Sequence, residues 1–326
     1  MLGSRAMQSR VAAILGTCLM IGLGNLTANE PEVARRVAIT FDDLPAQRAH
    51  AIPEERIQAI NEDLLKTIVE QSIPAIGFVN EEKLYVDGVL DPARVRLLEL
   101  WLEAGLELGN HTFSHPDLHR TPLDEFKQDL IRGEQTTGAL LESRGQALRY
   151  FRHPFLHTGL DLDTKLALEE FLAQRGYRVA PVTIDNSEWI FARAYDEALD
   201  LQDEALQNRL AREYLDYMMR MVEFYEGQSR RLFDREIPQV LLLHANALNA
   251  NHLGELVTSF RQRGYQFIDL DTALEDPAYS SDDTYTGPEG ITWLHRWAIT
   301  RDIDRSLFRG EPTTAVWVQE AAGIQE

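Results

Sequence analysis

Two histidines separated by three residues are the first group in this sequence that could do chemistry. His111 and His115 lie in the run Gly-Asn-His-Thr-Phe-Ser-His, and this spacing brings both imidazoles to one side of a single turn, where they could share a metal ion. Two adjacent carboxylates, Asp42 and Asp43, follow the apolar run Arg-Val-Ala-Ile, which is typical of a strand that ends at a site. These residues could supply a third ligand and a base, as zinc or another divalent metal would require.

Each of these residues also has an ordinary structural explanation. Histidine pairs are common on protein surfaces, and adjacent aspartates often lie in a solvated turn or cap a helix. Their joint occurrence at the ends of predicted strands favours a site, because the active sites of barrel folds gather at strand ends.

The elements that must position these residues alternate between strands and helices, which is the pattern of a parallel sheet wrapped by helices. The predicted strands are 37–41, 75–79, 106–111, 149–151, 177–182, 239–244 and 266–270. The predicted helices include 55–71, 92–104, 123–143 and 162–175. A longer helical pattern over about 196–225 carries an apolar stripe, which indicates packing against the sheet.

Composition and charge set broad bounds on the function. A chain of 326 residues with a hydrophobic content of 44% can bury a sizeable core, and single α/β barrels often reach this size. The formal net charge of −20 argues against nucleic acid or an anionic membrane as a partner, because their phosphate groups would be repelled.

The first 28 residues match a secretory signal peptide. Arg5 and Arg10 precede an apolar run over 11–23, and Ala28 offers a small residue before a polar stretch, as in such peptides. The run is too short to span a membrane. The alternatives are an N-terminal anchor or a lipoprotein acylated at Cys18. We expect cleavage and export to the periplasm or the extracellular space, which leaves no stable membrane span and, because Cys18 is the only cysteine, no disulfide.

The sequence closely resembles the polysaccharide deacetylase family, also called the NodB-homology family or family 4 carbohydrate esterases, from residue 37 to about residue 270. Five short motifs occur in the family's order. They are Thr-Phe-Asp-Asp ending at 43, His-Thr-Phe-Ser-His ending at 115, Arg-His-Pro-Phe ending at 155, Asp-Asn-Ser-Glu-Trp ending at 189, and Leu-Leu-His ending at 244. Any one match would be weak, but five in order are specific.

The first two motifs imply the base and the metal ligands. The resemblance implies Asp42 as the catalytic base and Asp43 as a ligand. It implies His111 and His115 as the other two ligands of one divalent metal ion, with zinc favoured and cobalt, iron, nickel and manganese as alternatives. The family usually has Gly after its first motif, whereas this chain has Leu44-Pro45.

The third motif implies two groups beside the base. Arg152 would orient the base, and the backbone N–H of Phe155 would help to hold the oxyanion. Phe155 stands where the family commonly has Tyr, which keeps the backbone donor and removes a hydroxyl. The loop 156–159 differs from the family's usual short turn, and both departures bear on the substrate.

The last two motifs imply the acid and its surroundings. The resemblance implies His244 as general acid, Asp185 as the carboxylate that adjusts it, and Trp189 and Leu242 as walls of the acetyl pocket. Glu188 replaces the Asp that is usual in the fourth motif. We expect Asp185 to raise the pKa of His244, because a neighbouring carboxylate favours the imidazolium.

The fold implied by the resemblance is a distorted (β/α) barrel of the NodB-homology type, in one domain. We expect a signal peptide, a catalytic domain over 29–275 with a helical insertion at about 190–238, and a C-terminal extension over 276–326. The insertion lies between the fourth and fifth motifs, so we expect it to shape the substrate entrance.

The predicted function is a metal-dependent hydrolase that removes acetyl groups from an N-acetylated sugar or polysaccharide and releases acetate. The partner would be an acetylated glycan. One alternative is a related amidase or O-acetyl esterase of the same fold. Another is an inactive glycan-binding protein, which the retention of the full set of motif residues disfavours.

Overall fold

Nine strands are present in the computed structural model, which describes residues 35–324. Their bounds are β1 Arg35–Leu44, β2 Ala75–Val79, β3 Tyr85–Val86, β4 Val89–Leu90, β5 Glu107–Asn110, β6 Tyr150–Phe151, β7 Arg178–Val179, β8 Gln239–His244 and β9 Tyr265–Phe267. Seven of them form one parallel sheet in the order β7-β6-β5-β2-β1-β8, with β9 beside the start of β1. The short β3 and β4 pair only with each other.

The sheet curls because the chain after β7 returns to the other end of the strand order. Ile184 forms a parallel bridge to Leu241 of β8. The Ile184 N–H donates to Val240 O at 3.0 Å, and the Leu242 N–H donates to Ile184 O at 3.2 Å. Since β7 and β8 lie at opposite ends of the sheet, this contact joins those ends. The predicted distorted (β/α) barrel is therefore confirmed.

Eleven α-helices occur among residues 35–324. Their bounds are α1 Glu54–Glu70, α2 Pro92–Glu103, α3 Leu123–Arg132, α4 Gln135–Glu142, α5 Leu162–Gln174, α6 Glu188–Asp200, α7 Glu204–Phe233, α8 Ala247–Gln262, α9 Leu270–Leu274, α10 Trp293–Thr300 and α11 Val316–Ala322. None of the described helices is both long enough and apolar enough to cross a membrane. The predicted signal peptide and Cys18 lie outside the described residues.

The central strands are buried along their length, as a parallel sheet covered on both faces requires. In β1 every residue from Val37 to Leu44 is buried. In β8 all residues but the last, His244, are buried. These two apolar runs explain why both strands are recognisable in the sequence. Asp42 and Asp43 near the end of β1 and His244 at the end of β8 lie at the same edge of the sheet.

All seven strands predicted from the sequence are present, but two helical predictions are corrected. The pattern over 123–143 is two helices that break at Gly133, where an added Cβ would lie 2.5 Å from the backbone of Thr112. The pattern over 196–225 belongs to α6 and α7. Gln202 between them has a φ of 55°, and Asp203 caps α7 by accepting a hydrogen bond from the Leu206 N–H.

Candidate active site

Asp42 and Asp43 lie at the carboxyl end of β1, beside His244 at the end of β8. Asp43 has a φ of 72°, a conformation that costs a non-glycine residue about 1–3 kcal/mol and is common at functional sites. This turn separates the two carboxylates, which contact different partners. Strands β5 and β6 end directly before His111 and Arg152 and bring the second and third motifs to the same edge.

Arg152 holds Asp42 from beneath the site. Its guanidinium is fully buried; Nη1 donates to Asp42 Oδ2 at 3.3 Å and Nη2 donates to Thr40 Oγ1 at 3.0 Å. Burial raises the pKa of Asp42 to about 6, although Arg152 and His244 act to lower it. The other oxygen, Oδ1, is buried and accepts no hydrogen bond from the described part of the chain, so it is available to a water molecule.

Asp43, His111 and His115 form a group that could hold a metal ion. One ligand atom from each residue lies within 4.8 Å of the others, and the two imidazole centroids are 4.8 Å apart. His111 Nδ1 lies 2.8 Å from the Arg152 carbonyl oxygen. Because a carbonyl only accepts, Nδ1 carries the proton and Nε2 keeps its lone pair for a metal.

The charges of these three residues suit metal binding. Burial lowers the pKa of His111 well below its ordinary value and also lowers that of His115, so both imidazoles are neutral. Burial acts to raise the pKa of Asp43, but Lys83, the largest of the opposing influences, and the charged His244 outweigh it and lower that pKa. Lys83 Nζ lies 2.8 Å from Asp43 Oδ1. One carboxylate and two neutral imidazoles are the deprotonated donors that a divalent cation needs.

Glu188, rather than Asp185, is the partner of His244. Its Oε2 lies 2.8 Å from His244 Nδ1, and the Glu188 side chain is fully buried. Asn246 and Asn249 both donate side-chain N–H groups to Glu188 Oε1, which fixes the carboxylate. Burial acts to lower the pKa of His244, but Glu188, followed by Asp43 and Asp42, raises it to about 9.

Asp185 therefore needs a correction, since we expected it to contact the acid. Its Oδ1 accepts a hydrogen bond from the Asn186 N–H at 2.8 Å, and the Asn186 side chain donates to Leu242 O. This turn carries Glu188 onto the first turn of α6 and toward His244. Burial raises the pKa of Asp185 to about 7.

A cavity of about 740 Å³ brings these motif residues together. All the predicted site residues except Arg152, which lies buried behind Asp42, line this cavity. Trp189 and Phe155 are 41% and 54% exposed, so they stand at its mouth, whereas Leu242 is buried. Tyr217 and Met221 of α7 line it too.

Three contributors to the site were missed by the sequence reasoning. Glu188 had a signal, because it stands where the fourth motif usually has Asp. Lys83 lies on a turn after β2 that no motif marks. The segment over 276–324, which supplies Gly290 and Glu311 to the cavity, lies beyond the motifs and has no periodic pattern. Trp293 and Trp297 of this segment are buried.

Comparison with known families agrees with the resemblance. The family model described as polysaccharide deacetylase matches residues 29–174. The match contains the first three motifs, and the fourth and fifth lie beyond it. The predicted resemblance is thereby confirmed.

Solved structures with similar folds include members of the carbohydrate esterase 4 family. One is a mutant, with restored enzymatic activity, of a pseudoenzyme from Bacillus anthracis; it is 16% identical, with a TM-score of 0.50, and the match covers 74% of this chain and 68% of that one. A peptidoglycan deacetylase from Bacillus subtilis is 18% identical, covering 74% and 91%, with a TM-score of 0.46. A family 4 carbohydrate esterase from Streptomyces lividans, in complex with acetate, is 16% identical, covering 73% and 95%, with a TM-score of 0.44. At 16% identity, the similarity to the first of these structures supports the fold alone.

Proposed function

We propose that the chain is a metal-dependent hydrolase that removes acetyl groups from an N-acetylated sugar or polysaccharide, a function supported by the match of the polysaccharide deacetylase family model to residues 29–174. The observation that carries this proposal is one cavity lined by a base, a metal-binding group and an acid. The base is Asp42 with Arg152, and the acid is His244 with Glu188. A binding protein would need none of these charge pairs.

The proposed ligand set is Asp43, His111 and His115, with zinc as the favoured metal because two imidazoles and one carboxylate suit it. A bound divalent cation would polarise the acetyl carbonyl and lower the pKa of a water molecule. The three side chains would hold the cation. Burial would keep both imidazoles neutral, and the hydrogen bond to the Arg152 carbonyl oxygen would orient the His111 ring.

The remaining residues would move protons and hold the substrate. Asp42 would accept the proton of the attacking water, and the Phe155 N–H would donate to the developing oxyanion. His244, charged because of Glu188, would protonate the departing amine. Trp189 and Leu242 would wall the acetyl group. The products are acetate and the sugar with a free amine.

Acetate release from a panel of substrates tests this proposal. Purified protein with added zinc is incubated with chitin oligomers, peptidoglycan and acetylated xylan. We expect release from an N-acetylated member, its loss in Asp42→Asn, and no effect of the matched change Asp216→Asn at an exposed site on α7. Release from xylan alone would indicate an O-acetyl esterase. Binding of a glycan without acetate release would indicate a binding protein.

We also propose that the protein is exported and that residues 1–28 are removed. The support is the order of basic, apolar and small residues in that segment. The proposed organisation is a catalytic domain over 29–275, a helical insertion at about 190–238 and an extension over 276–326. Sequencing the N-terminus of protein recovered from the periplasm or medium tests export, and a mature chain that still begins at Met1 would contradict it.

A further inference from the structure

The loop that carries Phe155 is strained. Phe155 and the following Leu156 have φ values of 56° and 54°, so two consecutive non-glycine residues adopt the left-handed conformation. This conformation is unfavourable for a residue with a Cβ and persists only where the surroundings hold it. Because Phe155 supplies the proposed oxyanion donor, the groups that hold this loop decide where the donor points.

Arg296 of α10 holds the loop from the C-terminal side. Its side chain is 1% exposed. Nη2 donates to the Leu156 carbonyl oxygen, and Nη1 donates to Thr158 Oγ1 at 2.8 Å. Nε donates to the Ile291 carbonyl oxygen at 3.0 Å. One guanidinium thus joins the strained loop to the start of α10, a fixed geometry that the planar fork of Arg suits.

Gly290 touches the same loop at the neighbouring carbonyl. A Cβ added to Gly290 would lie 1.8 Å from the Phe155 carbonyl oxygen and 3.3 Å from His157 Cδ2. Such an approach is possible only for glycine, so this contact fixes the residue type. The carbonyl of Phe155 and that of Leu156 are therefore both contacted by one segment about 140 residues further along the chain.

The segment directly after the second motif holds the other side of the loop. His157 Nδ1 lies 2.6 Å from Asp117 Oδ1, and the His157 ring stacks on His119 at 3.8 Å with an angle of 9° between planes. The Gly159 N–H donates to His119 Nε2 at 3.3 Å. The nitrogen lone pairs of the two stacked imidazoles lie in parallel planes and do not converge on one ion. Asp117, His119 and His157 are therefore better suited to fixing the loop than to binding a metal.

We propose that Arg296 and Gly290 are positioning residues that hold the Phe155 N–H where it can stabilise the oxyanion. The proposal rests on the proposed deacetylase function. It assigns the C-terminal segment a part in turnover, because Gly290 and Arg296 contact the loop at its backbone carbonyls and at Thr158. Losing the contact should weaken binding of the transition state and spare binding of the substrate.

The full-length variants Gly290→Ala and Arg296→Lys test this inference. Gly254→Ala is the matched control, since a Cβ there meets its nearest neighbour at 3.8 Å. We expect Gly290→Ala to lower kcat by about 10- to 100-fold, with KM and zinc content unchanged; the fall is smaller than the roughly 10²- to 10³-fold cost of removing an oxyanion donor, because the N–H is displaced and not removed. Arg296→Lys, which keeps the charge and part of the bonding, should show a smaller fall. Hydrogen exchange over residues 153–159 should be faster in both variants and unchanged in the control.

The outcomes separate this inference from the proposed function. Wild-type kcat in Gly290→Ala, or an equal fall in the Gly254→Ala control, overturns it. A rise of KM with unchanged kcat also overturns it, because that is loss of substrate binding. If the wild-type protein releases no acetate from any substrate, the proposed function fails. Hydrogen exchange then decides by itself whether the C-terminal segment holds the loop. Unchanged exchange over residues 153–159 in the variants would overturn that claim as well.

Discussion

Under the proposed function, the pairing of Glu188 with His244 should set the alkaline limit of activity. A general acid must be protonated when the substrate is bound, and an ordinary imidazole with a pKa of about 6.5 is mostly neutral at pH 7.5. Glu188 raises the pKa of His244 to about 9 against the opposing effect of burial. Activity should therefore persist through neutral pH and fall only as the pH rises through about 9.

The change Glu188→Gln removes the charge and nearly keeps the shape. Without that charge, burial lowers the pKa of His244, and we expect the alkaline limb to move down by at least about two pH units. At pH 8 an imidazole with a pKa of 9 is about 90% protonated and one with a pKa of 6.5 about 3%. The value of kcat/KM should then fall about 30-fold at pH 8 and little at pH 6.

The assay is a pH profile of acetate release, with NMR titration of the His244 ring as a measurement that needs no turnover. Asp185→Asn is the control, because the structure places that carboxyl on the Asn186 N–H and not on His244. Its alkaline limb should stay near that of the wild type, and neither variant should lose metal. An unmoved limb in Glu188→Gln, or a shift only in Asp185→Asn, would refute the pairing.

Four further predictions concern the metal, the base and the entrance. His115→Ala should lose both metal, measured by elemental analysis, and activity; full metal occupancy with normal turnover would remove it from the ligand set. Asp42→Asn should keep its metal while kcat falls about 10²- to 10⁴-fold, and loss of metal would make this residue a ligand instead. Lys83→Met should tighten zinc binding in a competition titration, because the ammonium beside Asp43 repels a cation; weaker binding would contradict this. Met221→Ala, on the wall that α7 adds to the cavity, should change preference among chitin oligomers of different length by about tenfold, whereas an equal change for all lengths would leave α7 only a packing role.

The sequence predicted those parts of the site that follow from strand ends. Apolar runs identify β1 and β8, and parallel pairing puts Asp42 directly beside His244, so that motifs 200 residues apart must meet. The spacing of His111 and His115 likewise predicts neighbouring rings, which lie 4.8 Å apart. These relations need only the direction of the strands and the lengths of short loops.

The contacts that could not be predicted from the sequence depend on how a turn or a distant segment is oriented. Asp185 and Glu188 are three residues apart, and only the path of the turn through Asn186 decides which carboxylate reaches His244. The contact of Gly290 with Phe155 has no signal in local periodicity, because nothing near either residue specifies its partner. The same holds for the helical break at Gly133, which reflects a close approach to the second motif.

The two charge pairs of the site act in opposite directions, and under the proposed function this opposition would define the working pH range. Burial alone would raise the pKa of Asp42 further and would lower the pKa of His244. Arg152 limits the first effect, so that the pKa of Asp42 rises only to about 6, and Glu188 reverses the second, so that the pKa of His244 reaches about 9. Between these values the base is ionised while the acid is protonated, which hydrolysis by this pair requires. Arg152 and Glu188 are therefore as necessary to the protonation state of the site as Asp42 and His244 themselves.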